Sequence, residues 1–127
     1  MPDGVATKHC LIVDDSRVVR TVAGRIVKDL SFTVSEAAHG AEALELCRKD
    51  MPDAILLDWN MPVMNGLDFL RALRREDRGK EPVVVFCTNE NDSEHISEAI
   101  RAGANEYIMK PFDAEIVESK FAEVGLV

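Results

Sequence analysis

The apolar and polar positions of the chain form a succession of segments, in which the pattern of a buried strand is followed by the pattern of a helix. Four short runs are continuously apolar and bounded by polar residues, which is typical of parallel strands covered on both faces. These runs cover residues 10–13, 54–57, 83–87 and 107–109. A fifth segment, residues 33–37, mixes polar and apolar side chains, so we expect it to form a strand at the edge of a sheet.

Between these segments, apolar side chains recur every three or four residues, the spacing of a helix that buries one face. The five stripes are Val19, Val22, Ala23, Ile26, Val27 and Leu30; Gly40, Ala43, Leu44 and Cys47; Gly66, Phe69, Leu70 and Leu73; Ile96, Ala99, Ile100 and Gly103; and Val117, Phe121 and Val124. Strand and helix thus alternate five times. This order predicts an α/β domain with a doubly wound parallel sheet and helices on both of its faces.

Composition narrows the class of protein. A chain of 127 residues suits one domain over residues 1–127, with a core from about 9 to 124 and no second domain. The net charge of −8 argues against binding to nucleic acid or to an anionic membrane. Cys10, Cys47 and Cys87 lie in or beside apolar stretches without CxxC spacing, so we expect buried reduced thiols in a cytoplasmic protein. A monomer is the default expectation, because the sequence offers no dimer-forming extension.

Polar residues that can carry chemistry follow the apolar runs. Asp14 and Asp15 follow the first strand, Asp58 the third, Thr88 the fourth and Lys110 the fifth. Because the carboxyl ends of parallel strands meet at one edge of the sheet, we expect these side chains to converge. Taken singly, each has a simpler interpretation: a helix N-cap for Asp14 or Asp15, a turn residue for Thr88, and a solvated charge for Lys110.

Three clustered carboxylates repel one another unless a cation lies among them. Oxygen ligands with room for water suit Mg²⁺. A carboxylate beside Mg²⁺, with an ammonium and a hydroxyl opposite, can accept a phosphoryl group. The pattern therefore predicts a site of phosphoryl transfer.

Four motifs occur in order: LIVDDS at residues 11–16, DWNMPVMNG at 58–66, Thr88, and YIMKPF at 107–112. With them the chain resembles the receiver domain of two-component response regulators, and most of all the stand-alone, chemotaxis-type (CheY-like) members. The resemblance extends from about residue 9 to about 124. It implies a flavodoxin-like fold with strand order 2-1-3-4-5 and five helices.

The resemblance also implies roles for the polar residues. Asp58 would be the phosphoacceptor. Asp15 would bind Mg²⁺ directly and Asp14 mainly through water, with Asp58 and the backbone carbonyl of Asn60 completing the protein ligands. Lys110 would pair with a phosphoryl oxygen of the modified residue.

Further positions concern switching and lifetime. The resemblance implies that Thr88 moves towards the phosphoryl group and that Tyr107 then turns inward. Asn60 and Glu90 would tune the lifetime of the phosphoryl group. Asn89 departs from the family pattern, where a very small residue is usual, and would affect the rates of phosphorylation and dephosphorylation.

The resemblance also implies two features of the backbone. The bond between Lys110 and Pro111 is expected to be cis, which is inexpensive only before proline. Gly66 would supply backbone freedom in the loop after the acceptor.

The implied function is phosphorelay signalling rather than turnover catalysis. A histidine kinase or a histidine phosphotransferase would be the donor. With no output domain expected, a downstream protein would bind the face made by the fourth helix, fifth strand and fifth helix, and chemotaxis or motility control is one role that the resemblance implies. Three alternatives stay open: an Mg²⁺-dependent aspartyl phosphohydrolase, a phosphate-sink receiver without a dedicated output, and a flavodoxin-like cofactor protein. Asn60 argues against the hydrolase, because it replaces the general acid expected there, and the paired carboxylates after the first strand would repel a cofactor phosphate.

Overall fold

A computed structural model describes residues 7–88 and 93–127 of the chain. Strands and helices alternate strictly along it. They are β1 (His9–Val13), α1 (Arg17–Asp29), β2 (Thr33–Ala37), α2 (Gly40–Lys49), β3 (Ala54–Asp58), α3 (Gly66–Arg75), β4 (Val83–Thr88), α4 (Ser93–Ala102), β5 (Glu106–Met109) and α5 (Ala114–Glu123).

The five strands form one parallel sheet in the order β2-β1-β3-β4-β5. Every residue of β3 is buried, whereas β2 has exposed and half-buried positions. The prediction of a flavodoxin-like doubly wound sheet with five helices is therefore confirmed, as is the edge position of residues 33–37.

The two faces of the sheet bury two separate sets of apolar side chains, because alternate residues of a strand point to opposite faces. Leu11, Ile55 and Phe86 belong to the set that packs against α2, α3 and α4. Ile12 and Leu56 belong to the set that packs against α1 and α5. Because helices cover both faces of the sheet, polar groups can gather on the loops at its carboxyl edge. β1 and β3 end near the middle of that edge.

Side chains that accept a backbone N–H mark the beginnings of four helices. Ser16, His39, Asn65 and Asp113 each accept a hydrogen bond from the backbone N–H three residues later, at the starts of α1, α2, α3 and α5. Such bonds satisfy amides that have no partner inside the helix. The N-cap of α1 is therefore Ser16, and the interpretation of Asp14 or Asp15 as a simple cap is wrong.

Two side chains that the stripes placed in the core lie largely at the surface. Val22 is 49% exposed and Ile100 is 44% exposed. Both are at the margins of their stripes, whose centres at Ala23, Val27 and Ala99 are fully buried. Val22 instead lines an open apolar groove of about 390 Å³ with Val18, Val19, Lys110, Pro111 and Phe112.

The three cysteines are buried and unpaired, as predicted. Burial raises the pKa of Cys47 and of Cys87 to about 12, and raises that of Cys10 as well. These thiols are therefore neutral at physiological pH and pack as small apolar groups. In the described part of the chain, every helix is too short or too polar to cross a membrane.

Candidate functional site

Acidic and basic side chains converge at the carboxyl edge of the sheet. Asp14 follows β1, Lys110 follows β5, and Asp58 and Thr88 are the last residues of β3 and β4 rather than the first residues after them. Asp14, Asp58 and Thr88 are buried, whereas Asp15 is exposed. One carboxylate oxygen from each of Asp14, Asp15 and Asp58 lies within 4.8 Å of the others. The fold thus joins residues that are far apart in sequence.

Lys110 connects the two buried carboxylates. Its Nζ donates to Oδ2 of Asp14 at 2.6 Å and to Oδ1 of Asp58 at 3.0 Å, and its side chain is only 15% exposed. The backbone N–H of Lys110 donates to the carbonyl oxygen of Thr88 at 2.7 Å, which fixes the start of the β5–α5 loop. One ammonium therefore faces two of the three carboxylates in the cluster, so the cluster keeps an excess of negative charge.

The electrostatics of the site follow from burial and close charges. Burial raises the pKa of the Asp58 carboxyl; the hydrogen bond from Lys110 lowers it, and the charges of Asp14 and Asp15 raise it, so the net pKa is above its usual range. Burial lowers the pKa of Lys110, but its hydrogen bonds to Asp14 and Asp58 outweigh that effect and the net pKa is raised. Lys110 is therefore held as the ammonium.

Asp14 is fixed by its backbone as well as by its side chain. Its N–H donates to the carbonyl oxygen of Ala37 at 3.1 Å, and its Oδ1 accepts from the N–H of Ser16 at 2.8 Å. Since Oδ2 accepts from Lys110, both carboxylate oxygens already have protein partners. Asp15 is the more accessible carboxylate of the pair.

The loop between β3 and α3 passes close to its own beginning. A Cβ added to Gly66 would collide with the backbone oxygen of Asp58 and would lie 3.2 Å from Cα of Trp59. The N–H of Gly66 donates to the carbonyl oxygen of Trp59 at 3.0 Å. Gly66 is helical, without a positive φ, so the prediction that it supplies backbone freedom is wrong, and the close approach is what requires glycine here.

Trp59 is a packing residue between β3 and α4. Its ring lies edge-on to Phe86 with centroids 5.3 Å apart, and it stacks on His95 at 4.2 Å. Aromatic pairs at these separations favour such offset or edge-to-face geometry. Trp59 directly follows Asp58, so its indole ring links the end of β3 to the first turn of α4.

The remaining residues that the sequence singles out lie on β5, in the loops after β3 and β5, or outside the described residues. Tyr107 is half-buried on β5, with Nζ of Lys120 5.3 Å from its ring centroid. Asn60 is exposed in the loop after β3. The bond between Lys110 and Pro111 is cis. Asn89 and Glu90 lie outside the described residues.

The donor set of the cluster fits a hard divalent cation. Carboxylate oxygens of Asp14, Asp15 and Asp58 are grouped at a rim where Asp15 opens to solvent. Oxygen ligands and access for several waters are what Mg²⁺ requires, and the excess negative charge supplies the attraction. His and Cys ligands, which would favour zinc, do not belong to the group.

One polar residue that the sequence patterns do not single out contacts the acidic pair. Arg20 of α1 donates from Nη1 to the carbonyl oxygen of Asp14 at 2.8 Å and from Nε to Oε1 of Glu36 at 3.1 Å. Its position four residues after the N-cap Ser16 is the available sequence signal, because that spacing places it on the same helical face as the cap.

The matching family model is the response regulator receiver domain, which covers residues 10–121. The chain belongs to this family. It is 39% identical over 115 residues to the chemotaxis protein CheY of Pseudomonas aeruginosa, covering 90% of this chain and 93% of that protein. It is 38% identical over 115 residues to chemotaxis protein CheY-3 of Vibrio cholerae, covering 90% and 88%.

Solved structures agree with this assignment. Chemotaxis protein CheY4 of Vibrio cholerae superposes with a TM-score of 0.89 at 34% identity, over 94% of this chain and 99% of that one. The receiver domain of a Pseudomonas aeruginosa sensor histidine kinase, with a TM-score of 0.85 at 26% identity over 93% and 97%, holds a magnesium ion coordinated in its active-site cleft. The chain is a CheY-like receiver, and the prediction of a phosphorelay signalling function is confirmed.

Proposed function

We propose that Asp58 accepts a phosphoryl group from a phosphohistidine of a histidine kinase or histidine phosphotransferase, in a reaction that requires Mg²⁺. The observation that carries the proposal is the contact of Lys110 with Asp58 and Asp14 beside the exposed carboxylate of Asp15. A buried carboxylate, a fixed ammonium and an open acidic rim in one small site support a nucleophile, a charge-stabilising group and a cation-binding position. Family membership supplies the reaction class.

Each residue of the site has a defined task in this reaction. An oxygen of Asp58 forms the new bond to phosphorus while the bond from phosphorus to the histidine nitrogen breaks, and the electron pair returns to the imidazole. Lys110 stabilises negative charge on the phosphoryl oxygens. Thr88, at the end of the neighbouring strand, donates a hydrogen bond to another of these oxygens.

Asp14, Asp15 and Asp58 would hold the Mg²⁺ ion together with the backbone carbonyl of Asn60, Asp15 directly and Asp14 mainly through water. When bound, the ion supplies charge stabilisation to the phosphoryl oxygens that accumulate negative charge. Asp15 is suited to direct ligation because it is exposed, whereas both oxygens of Asp14 already accept hydrogen bonds from protein groups.

The output of the domain would pass to a protein partner through the face formed by α4, β5 and α5. Ile100 is exposed there, and Lys120 lies over the ring of Tyr107 and 3.6 Å from Glu106. An apolar side chain beside charged ones is the composition of many protein interfaces. Since its relatives in Pseudomonas aeruginosa and Vibrio cholerae are chemotaxis proteins, we place this output in chemotaxis or motility control.

The test is phosphorylation by acetyl phosphate, with the acyl phosphate trapped and mapped by mass spectrometry. We expect one modification on Asp58 that requires Mg²⁺ and is lost in Asp58→Asn. Exposed Asp68, ten residues along the chain on α3, provides the matched control, because Asp68→Asn is expected to be modified like the wild type. Equal labelling of Asp58→Asn would contradict the proposal, and multiple turnover of a phosphate ester would indicate a phosphohydrolase instead.

A further inference from the structure

The guanidinium of Arg20 lies beneath the turn that carries the acidic pair. Its side chain is 16% exposed, and it bridges the exits of two neighbouring strands. Nη1 donates to the carbonyl oxygen of Asp14 at the end of β1, while Nε donates to Oε1 of Glu36 in β2. The two strands are paired in register up to Val13 and Ala37, and Glu36 itself pairs with Ile12, so the bridge links the end of that pairing to the first residue after β1.

The carbonyl that Arg20 binds belongs to the peptide unit joining Asp14 to Asp15. A peptide unit is planar, so fixing its oxygen also fixes the direction in which the next Cα leaves it. The N–H and the carboxylate of Asp14 are anchored on Ala37, Ser16 and Lys110, as described above. The hydrogen bond from Arg20 is therefore the contact that sets the orientation of the backbone entering Asp15.

We infer that Arg20, itself held by Glu36, is a positioning residue that orients Asp15 for binding of the divalent cation. The inference rests on the proposed function, because it assigns Asp15 a direct role towards Mg²⁺. An arginine suits this task since its planar fork donates in two directions at once, which the single ammonium of a lysine does not reproduce.

Charge and positioning make opposite predictions for the loss of Arg20. The guanidinium of Arg20 is a positive charge near the three carboxylates, and it repels Mg²⁺. Electrostatics alone therefore predicts that removal of Arg20 strengthens Mg²⁺ binding. Positioning predicts that removal weakens binding, because Asp15 then samples other orientations. The sign of the change in Mg²⁺ affinity therefore separates the two effects.

The experiment measures Mg²⁺ affinity by calorimetry on the metal-free protein, together with thermal unfolding without Mg²⁺. Arg20→Met keeps the length and packing of the side chain but removes its donors and its charge. We expect its Mg²⁺ affinity to fall about tenfold, the effect typical of a residue that orients a metal ligand. Arg17→Met is the matched control, because it removes an exposed positive charge from the first turn of the same helix. We expect its affinity to stay equal or to rise slightly.

Two further variants and a rate measurement separate positioning from folding. Glu36→Gln keeps an acceptor for Nε and should bind Mg²⁺ within about twofold of the wild type, and Arg20→Lys, which keeps the charge, should still bind more weakly. At saturating Mg²⁺, the rate of phosphorylation of Arg20→Met by acetyl phosphate should return towards that of the wild type, which damage to the fold would prevent.

Unchanged or tighter Mg²⁺ binding by a folded Arg20→Met would overturn the inference while leaving the proposed function intact. If Arg20→Met does not unfold cooperatively, the Mg²⁺ affinity of Arg20→Lys is the deciding measurement. An affinity of Arg20→Lys equal to that of the wild type would overturn the inference. A wild-type chain that does not bind Mg²⁺ would overturn the proposed function and this inference together.

Discussion

The ammonium of Lys110 lies between the two buried carboxylates of the site, with Nζ 2.6 Å from Oδ2 of Asp14 and 3.0 Å from Oδ1 of Asp58. In the metal-free protein this one group offsets charges that would otherwise be buried without a partner. Removing one member of a buried ion pair is costly because the other remains desolvated. Lys110 therefore stabilises the fold, and in the proposed reaction it would compete with Mg²⁺ for the same carboxylates.

We predict that Lys110→Met lowers the free energy of unfolding at pH 8 by about 2 kcal/mol without Mg²⁺ and raises Mg²⁺ affinity. Lys110 lowers the folded-state pKa of the Asp58 carboxyl through its hydrogen bond and its charge, so without Lys110 that pKa rises further and the loss should grow as pH increases from 5 to 8. Urea unfolding at both pH values and Mg²⁺ titration measure these effects. Lys80→Met, which removes an exposed ammonium, should show neither effect; an equally stable Lys110→Met with unchanged affinity would contradict the prediction.

The raised pKa of Asp58 has a defined sign for stability. A carboxyl whose folded-state pKa lies above its unfolded value favours the folded state only while protonated, and that advantage is lost as pH rises through the folded pKa. At pH 7 the ionised group therefore destabilises the metal-free fold.

We accordingly predict that Asp58→Asn raises the free energy of unfolding at pH 7 without Mg²⁺ by about 1 kcal/mol, the size of a typical single substitution. Added Mg²⁺ should stabilise the wild type more than the variant, because a ligand that binds only the folded state stabilises it. Glu118→Gln removes an exposed negative charge from α5 and is the control for net charge. A lower melting temperature for Asp58→Asn than for the wild type would refute this prediction.

Asp14 and Asp15 are expected to differ in their effects. Asp15 is exposed, whereas Asp14 is buried and accepts from Ser16 and Lys110. We predict that Asp15→Ala loses Mg²⁺ affinity by about tenfold or more with little change in stability, and that Asp14→Ala changes both properties. Calorimetric Mg²⁺ titration and thermal unfolding of the two variants measure this. Unchanged affinity in both would mean that the acidic pair takes no part in binding the metal.

The alternation of strand and helix patterns was sufficient to predict the fold, because it restricts how the apolar runs can be buried. A continuous run such as 54–57 must be covered on both faces, and helices between strands impose parallel pairing. Helix margins were less predictable: Val22 and Ile100 share the spacing of core residues, but burial at a margin depends on the neighbouring element. Hydrophobic periodicity carries no information about that neighbour.

Placement at the strand ends was sufficient to group Asp14, Asp15, Asp58, Thr88 and Lys110. Contacts that depend on backbone atoms could not be predicted in this way. Arg20 binds a carbonyl oxygen, which every residue possesses, so its spacing from Ser16 indicates the helical face on which it lies but not the atom that it binds. The reason for Gly66 is likewise the approach of two backbone segments, which becomes visible only when the loop has its three-dimensional path.

Two glycines provide a pair of substitutions with opposite expected signs. Gly66→Ala places a Cβ against the backbone of Asp58, so we predict a loss of about 2 kcal/mol in the free energy of unfolding and weaker Mg²⁺ binding. Gly24→Ala lies inside α1, where the new Cβ would be 3.7 Å from Cγ1 of Val34, an ordinary contact. It should gain about 0.5–1 kcal/mol from helix propensity. Denaturant unfolding decides both, and a stable Gly66→Ala would show that the loop can relax.

Thr88 and Tyr107 lie on the same side of two paired strands. Tyr107 pairs with Phe86, so Thr88, two residues further along β4, is its diagonal neighbour. In the proposed switch, a movement of the Thr88 side chain would therefore release space on the side of the sheet that carries the half-buried ring of Tyr107. Trp59, the residue after Asp58, instead packs on Phe86 and His95.

This arrangement separates two responses to the phosphoryl analogue beryllofluoride. We predict that Thr88→Ala keeps the change in Trp59 fluorescence with Mg²⁺ and beryllofluoride and still accepts phosphoryl groups, but loses the change at Tyr107. In the proposed reaction Asp58, Lys110 and the metal would supply most of the charge stabilisation, whereas the hydroxyl would contribute one hydrogen bond of about 1 kcal/mol. That is too little to abolish the chemistry, yet comparable with a conformational difference of a few kcal/mol.

Both probes are unique in the chain, which has one Trp and one Tyr, so each signal belongs to one residue. Ring resonances of Tyr107 measured by NMR report its environment, and indole emission reports Trp59. Thr88→Ser keeps the hydroxyl and should retain both responses, which separates loss of the hydrogen bond from loss of packing. A Tyr107 shift in Thr88→Ala as large as in the wild type would leave Thr88 without a switching role, because the ring would then move without the hydroxyl.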